Sequence, residues 1–138
     1  MIYLDSCLVI YLVENHPVYG PKVASAMAAH PTEEFAVSPL VLLECLVGPL
    51  KTDNTELVDL YKKAYTQFRS LTITERVFEE AAYLCAEHGL RTPDALHLAC
   101  ANLGECTQLW TNDARFNAAT PWTQKSGIVT EITLRINF

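Results

Sequence analysis

The chain has 138 residues, half of them apolar, which is the length of one ordinary domain and enough to build a hydrophobic core. Its formal net charge of −6 argues against a protein that coats duplex nucleic acid with a broad basic face. Because no apolar run has the length of a membrane span and the N-terminus lacks the pattern of a signal peptide, we expect one cytoplasmic domain covering residues 1–138.

The first predicted strand begins at the start of the sequence and is followed by an acid. Ile2–Leu4 are apolar, Asp5 stops the run, and Ser6 with the apolar stretch Leu8–Val13 is typical of a helix. A strand, an acid and a helix in direct succession indicate the opening of a βα unit. We expect this strand in the middle of a parallel sheet, with Asp5 at the edge where open α/β sheets bind ligands.

The later elements alternate between helices and short strands. Predicted strands lie at Phe35–Val37, Leu71–Ile73, Gln108–Thr111 and Gly127–Thr133, and predicted helices at Tyr19–Ala29, Leu40–Val47, Thr55–Phe68, Glu75–His88 and Thr92–Asn102. Ser38-Pro39 and Thr92-Pro93 are helix starts, in which Ser38 is expected to cap free N–H groups. This alternation predicts an α/β fold with a mainly parallel sheet of four to five strands.

The chain has five cysteines, which is an odd number, and none of them forms a CxxC pair. Four of them fall in apolar or helical stretches, so we interpret them as small core residues in a reducing compartment. A zinc or redox site is therefore disfavoured.

Glu44 is the only charged residue between Glu34 and Lys51, in a helix whose apolar composition predicts burial. A buried carboxylate without a partner costs several kcal/mol or takes up a proton. A buried salt bridge is one explanation, but no basic residue stands at helical spacing. A metal or substrate site is the other.

Three further acids fall where chain direction brings them to the same edge. Asp5 and Asp113 directly follow strands, and Asp94 opens the helix that leads back to the fourth strand. Singly, each acid also fits a helix cap, a first helical turn or an ordinary turn. Together with Glu44 they need a cation, and oxygen ligands that leave waters in place suit Mg²⁺ or Mn²⁺.

The order of these motifs resembles the PIN domain family, and in chain length the VapC-type toxins of toxin–antitoxin pairs. The resemblance rests on MIYLDS, SPLVLLECLVG, TPDALHLACA and LWTNDARF, which carry the four acids in turn. It implies a three-layer α/β/α domain with Mg²⁺-dependent endoribonuclease activity. It also implies a homodimer that a small antitoxin protein inhibits.

The resemblance assigns roles to individual residues. Asp5 and Asp94 would be the principal metal ligands, Glu44 would help to hold or deprotonate the attacking water, and Asp113 would be the fourth acid. The implied supporting residues are Ser6, Thr111 and Asn112 as hydrogen-bonding groups around the acids, and Arg91 and Arg115 as phosphate contacts. His97, one turn after Asp94, is interpreted as a satisfied core or flank histidine and not as a general base.

Three other interpretations stay open. A haloacid-dehalogenase-type phosphotransferase needs a second acid where Cys7 stands, and a receiver domain needs paired acids where Ser6 follows Asp5. A PIN fold that has become a non-catalytic interaction module is the third. Metal-dependent cleavage of RNA separates the nuclease from this module.

Overall fold

The computed structural model describes residues 1–113 and 116. Its strands are β1 Ile2–Leu4, β2 Phe35–Val37, β3 Arg69–Ser70 and β4 Gln108–Trp110. Its helices are α1 Ser6–Val13, α2 Tyr19–Ala28, α3 Pro39–Lys51, α4 Thr55–Tyr65, α5 Glu75–His88 and α6 Thr92–Leu103. The predicted fifth strand at Gly127–Thr133 lies outside the described residues.

The four strands form one parallel sheet in the order β3-β2-β1-β4. Tyr3 of β1 is paired with Ala36 on one side and with Leu109 on the other. The whole of β1 is buried, as its apolar composition predicts. The predicted parallel sheet, with the first strand inside it, is confirmed.

The six helices of the described residues flank this sheet, consistent with a three-layer α/β/α architecture. They pack in sequential pairs, α1 with α2, α3 with α4, and α5 with α6. Buried side chains from the strands and from the inner helix faces form one continuous core. Within the described part of the chain, no helix is both long and apolar enough to cross a membrane.

Helix α3 differs from its prediction at its end and on its outer face. It continues through Gly48 and Pro49 to Lys51. Pro49 lacks the N–H of one intrahelical bond, but its carbonyl still accepts the Asn54 N–H at 2.9 Å. The prediction that this helix is buried all round is wrong, because its outer face exposes apolar side chains, namely Leu43, Val47 and Leu50.

Strand β3 lies two residues earlier than predicted. It pairs Arg69 with Ala36 and Ser70 with Val37, and the Leu71 N–H then donates to the Val37 carbonyl at 2.8 Å. Pairing stops there because β2 itself ends at Val37. The apolar character of Leu71 marks packing against the core and not strand position.

The same substitution, glycine to alanine, should have opposite effects on the free energy of unfolding at two positions. Gly89 ends α5 with φ of 65°, whereas Gly48 lies inside α3 with nothing within 4 Å of an added Cβ. We expect Gly89→Ala to lower the free energy of unfolding by about 1–2 kcal/mol because a side chain is strained at this φ. Gly48→Ala should raise it by about 0.4–1 kcal/mol. Urea denaturation of both variants checks this, and equal effects would contradict it.

Candidate metal centre

Asp5 connects β1 to α1 and has both carboxylate oxygens engaged. It occupies the N-cap position of α1, where Oδ1 accepts the Ser6 backbone N–H at 2.8 Å. Oδ2 accepts the Thr111 hydroxyl at 2.7 Å. The residue is 7% exposed. The cap role and the site role considered for Asp5 are therefore compatible, since the bonds that cap the helix also fix the direction of the carboxylate.

Glu44 reaches the same place from the second turn of α3. Its Oε2 accepts the Ser6 hydroxyl at 3.2 Å, and its Oε1 accepts a hydrogen bond from His97 Nε2. His97 Nε2 also lies 3.5 Å from Asp5 Oδ1. One ligand atom from each of Asp5, Glu44 and His97 lies within 4.8 Å of the others. The structure thus brings two of the four predicted acids together.

Glu44 was expected to be buried without a basic partner, and the structure corrects this expectation. The sequence offered no basic partner at helical spacing, but the partner comes from another helix, as His97 of α6. The Glu44 side chain is 31% exposed, so it stands at the rim of the site and not in the core. A half-exposed carboxylate beside an imidazole avoids much of the cost of burial.

Asp94 lies in the first turn of α6, three residues before His97. Residues three apart on a helix share a face, with Cβ atoms about 5–6 Å apart, so Asp94 lies on the face that carries His97. Asp94 is 6% exposed. This face is turned towards β1, since His97 contacts Tyr3 of that strand.

The segment after β4 holds the Asp5 carboxylate through Thr111. The Asp113 backbone N–H donates to Thr111 Oγ1 at 3.0 Å, and Thr111 in turn donates to Asp5. Asn112 donates from Nδ2 to the Tyr11 hydroxyl at 3.1 Å. The Asp113 backbone therefore begins a series of hydrogen bonds that ends on Asp5, while the Asn112 amide fixes this segment to α1.

The two arginines predicted to contact phosphate have different outcomes. Arg91 occupies the N-cap position of α6 and is exposed, three residues before Asp94. Arg115 lies outside the described residues. A phosphate contact by either side chain stays a prediction.

Sequence reasoning did not assign Tyr3 or Ser38 to the site. The Tyr3 hydroxyl lies 2.8 Å from His97 Nδ1 and 2.7 Å from Ser38 Oγ. Ser38 was expected to cap α3, but within the described part of the chain its side chain makes no capping bond to that helix. Burial raises the pKa of Tyr3 well above its ordinary value, so the hydroxyl keeps its proton. A tyrosine in a wholly buried strand was the available signal, since its hydroxyl needs a partner.

Cys45, Cys100 and Cys106 are buried, whereas Cys7 and Cys85 are partly buried. Burial raises the pKa of Cys7, with help from the neighbouring Asp5, to about 12, and that of Cys45 to about 12. Burial also raises the pKa values of Cys100 and Cys106 to about 11. All four are thiols at neutral pH, and Cys7 Sγ donates to Asp5 Oδ2 at 3.6 Å. Their state agrees with the prediction of small core residues.

Comparison with known families identifies the fold. The family described as "PIN domain" matches residues 2–120, which is most of the chain. The chain belongs to the PIN domain family. This assignment favours the PIN interpretation of the strand–acid–helix opening over the phosphotransferase and the receiver domain. A comparison with curated protein sequences found no match.

Solved structures similar to this PIN domain include three assemblies. A toxin–antitoxin complex from Klebsiella pneumoniae has 24% identity and a TM-score of 0.70, with 84% of this chain and 90% of that chain covered. VapBC2 from Rickettsia felis, bound to a DNA fragment from its promoter, has 18% identity and a TM-score of 0.68, with 85% and 91% covered. FitAcB from Neisseria gonorrhoeae has 21% identity and a TM-score of 0.66, with 88% and 99% covered. At these identities the likeness shows the fold.

The donor set of this PIN domain fits a hard divalent cation. Asp5 and Glu44 offer carboxylate oxygens whose orientation is already fixed by Ser6 and Thr111. Oxygen ligands at an accessible rim suit Mg²⁺ or Mn²⁺, which keep several waters when bound. Within the described residues, the donors that converge are two carboxylates and one imidazole, which is not the thiolate set of a structural zinc centre.

Proposed function

We propose that this PIN domain is a Mg²⁺-dependent endoribonuclease, with Mn²⁺ as a substitute ion. The observation that carries the proposal is the convergence of Asp5 and Glu44, from β1 and α3, with ligand atoms within 4.8 Å in a group that also includes His97. Two carboxylates at this separation repel each other, and a bound cation offsets that repulsion. Membership of the PIN family supports a nuclease over a site of another chemistry.

Each acid has a proposed task in this activity. Asp5 and Asp94 hold the ion as principal ligands, and Glu44 completes the set at the exposed rim, where it orients the attacking water and accepts its proton. Asp113 is the fourth acid. A divalent ion held here supplies the acidity that activates water and the positive charge that stabilises the phosphodiester as it is cleaved.

The surrounding polar groups keep these acids in place. Ser6 donates to both Asp5 and Glu44, and Thr111 donates to Asp5, so each acts through a carboxylate rather than on the substrate. Asn112 holds the segment after β4 against α1. We assign phosphate binding to Arg91 and Arg115, because bidentate contacts to phosphate suit arginine.

We further propose that the protein acts as the toxin of a toxin–antitoxin pair, with an antitoxin protein and a second copy of the chain as partners in the cytoplasm. Two of the similar structures are a toxin–antitoxin complex and VapBC2, which supports this assignment. Light scattering of the purified chain tests the homodimer, for which a mass twice the 15.4 kDa of one chain is expected.

Removal of divalent ions tests the central proposal. RNA incubated with the purified chain should be cut in the presence of Mg²⁺, and excess chelator should stop cleavage until Mg²⁺ is restored. The reason is that the acids alone cannot supply the charge that the reaction requires. Gel analysis of a labelled RNA gives the measurement. Cleavage that persists in chelator contradicts the metal mechanism, and a chain that binds Mn²⁺ but leaves RNA intact favours a non-catalytic module.

A further inference from the structure

His97 is a buried polar residue of the site to which the proposed chemistry assigns no task. Its ring is 1% exposed and lies between two groups of partners. On one side Nε2 contacts Glu44 Oε1 and lies 3.5 Å from Asp5 Oδ1. On the other side Nδ1 lies 2.8 Å from the Tyr3 hydroxyl, which lies 2.7 Å from Ser38 Oγ.

We infer that His97 is a positioning residue that donates its Nε2 hydrogen to Glu44, held in this role by Tyr3 and Ser38, and that it is not a ligand of the ion. The consequence for ion binding rests on the metal site proposed above. The bonding of the ring itself does not depend on that proposal.

The direction of the hydrogen bonds supports the inference. An ionised carboxylate can only accept, so the contact with Glu44 Oε1 requires a hydrogen on Nε2, whether the ring is neutral or charged. A ring nitrogen that carries hydrogen has no lone pair for a cation. On distances alone His97 could complete a ligand set with Asp5 and Glu44. The bond to Glu44 uses the atom that such a ligand would need.

Tyr3 and Ser38 explain how the ring keeps this form. In the neutral ring a hydrogen on Nε2 leaves Nδ1 as an acceptor, which the Tyr3 hydroxyl satisfies by donating. The Tyr3 oxygen is then free to accept from the Ser38 hydroxyl. The result is a directed series from Ser38 through Tyr3 and His97 to Glu44. This series also accounts for the orientation of Ser38 away from the helix that it precedes.

The effect on the site is preorganisation of Glu44. This side chain starts from a half-exposed helix face, where nothing but its partners fixes its rotamer. Ser6 holds one oxygen and His97 holds the other, so the carboxylate is already turned towards Asp5 before an ion arrives. Groups that orient metal ligands in this way typically account for about 10–100-fold in metal affinity.

Nuclear magnetic resonance of the ring nitrogens tests the inference without any variant. Long-range ¹H–¹⁵N spectra of the metal-free and the Mg²⁺-saturated chain should both show hydrogen on His97 Nε2. A bare Nε2 in either state overturns the proposal, because the ring would then be available as a ligand. Tyr3→Phe should keep the hydrogen on Nε2, because Glu44 still accepts it, but should change the Nδ1 chemical shift, since the donor to Nδ1 is lost. Tyr61→Phe removes another buried hydroxyl, which bonds to Glu14, and should leave the His97 signals unchanged.

Binding of Mn²⁺ alone, measured by electron paramagnetic resonance, gives the second readout. We expect His97→Leu to weaken Mn²⁺ binding about 10–100-fold and His97→Gln, which keeps an N–H donor, to recover most of that affinity. Wild-type affinity in His97→Leu overturns the proposal. Neither readout involves RNA, so a chain that passes both but fails to cut RNA refutes the proposed nuclease and not the role of His97.

Discussion

We expect Asp5→Asn to abolish the proposed Mg²⁺-dependent cleavage of RNA and to leave the fold intact. The amide removes the negative charge that a hard cation requires, whereas its remaining oxygen can still accept the Ser6 N–H that caps α1. Loss of groups that only orient a metal ligand costs about 10–100-fold, so loss of a ligand should exceed about 100-fold. Initial cleavage rates at saturating Mg²⁺ give the measurement, with the melting temperature recorded in parallel.

Asp59→Asn is the matched control for this variant. The control variant makes the same change from carboxylate to amide, but Asp59 lies on the exposed face of α4. Its cleavage rate should equal that of the wild type. If Asp5→Asn retained activity, the nuclease centred on Asp5 would be refuted. If it lost activity only because it unfolded, the melting temperature would show it.

Leu84→Ala should lower the free energy of unfolding by about 2–5 kcal/mol. Leu84 is fully buried on α5, the helix that packs against α6. Truncation removes the apolar contacts and leaves a cavity that the surrounding close-packed side chains cannot fill completely. Urea denaturation followed by circular dichroism gives the measurement.

Leu60→Ala serves as the comparison for this core variant. Leu60 is 47% exposed on α4, so the same truncation removes far less buried surface. We expect a loss within about 0.5 kcal/mol, as for most surface substitutions. Equal losses in the two variants would mean that α5 does not pack against the core as described.

Chain direction was sufficient to predict that the strands end at one edge of the sheet. In a parallel sheet Asp5 after β1 and the end of the fourth strand lie at this edge, and the pairing of β1 with β4 makes Asp5 and Thr111 neighbours. The structure joins them at 2.7 Å. Local signals also fixed most element bounds: α5 spans Glu75–His88 as predicted, with Gly89 at its end. The roles of the acids in catalysis stay predictions.

Contacts between distant segments were not predictable in the same way. The partner of Glu44 is His97, 53 residues later, and helical spacing within α3 could not reveal it. Ser38 fits the pattern of a helix cap, but its hydroxyl meets Tyr3, 35 residues earlier. Tertiary packing decided both cases, because a polar group takes the partner that the folded core presents and not the one nearest in sequence.

Helix α6 has eight consecutive buried residues, Asp94–Ala101, and is therefore enclosed around its whole circumference. A helix packed on every side can neither rotate nor slide without opening voids. Asp94 and His97 therefore keep a fixed mutual orientation. In the proposed site, adjustment to ions of different radius would fall to Glu44, which is partly exposed on another helix, and would come at the cost of its bonds with Ser6 and His97.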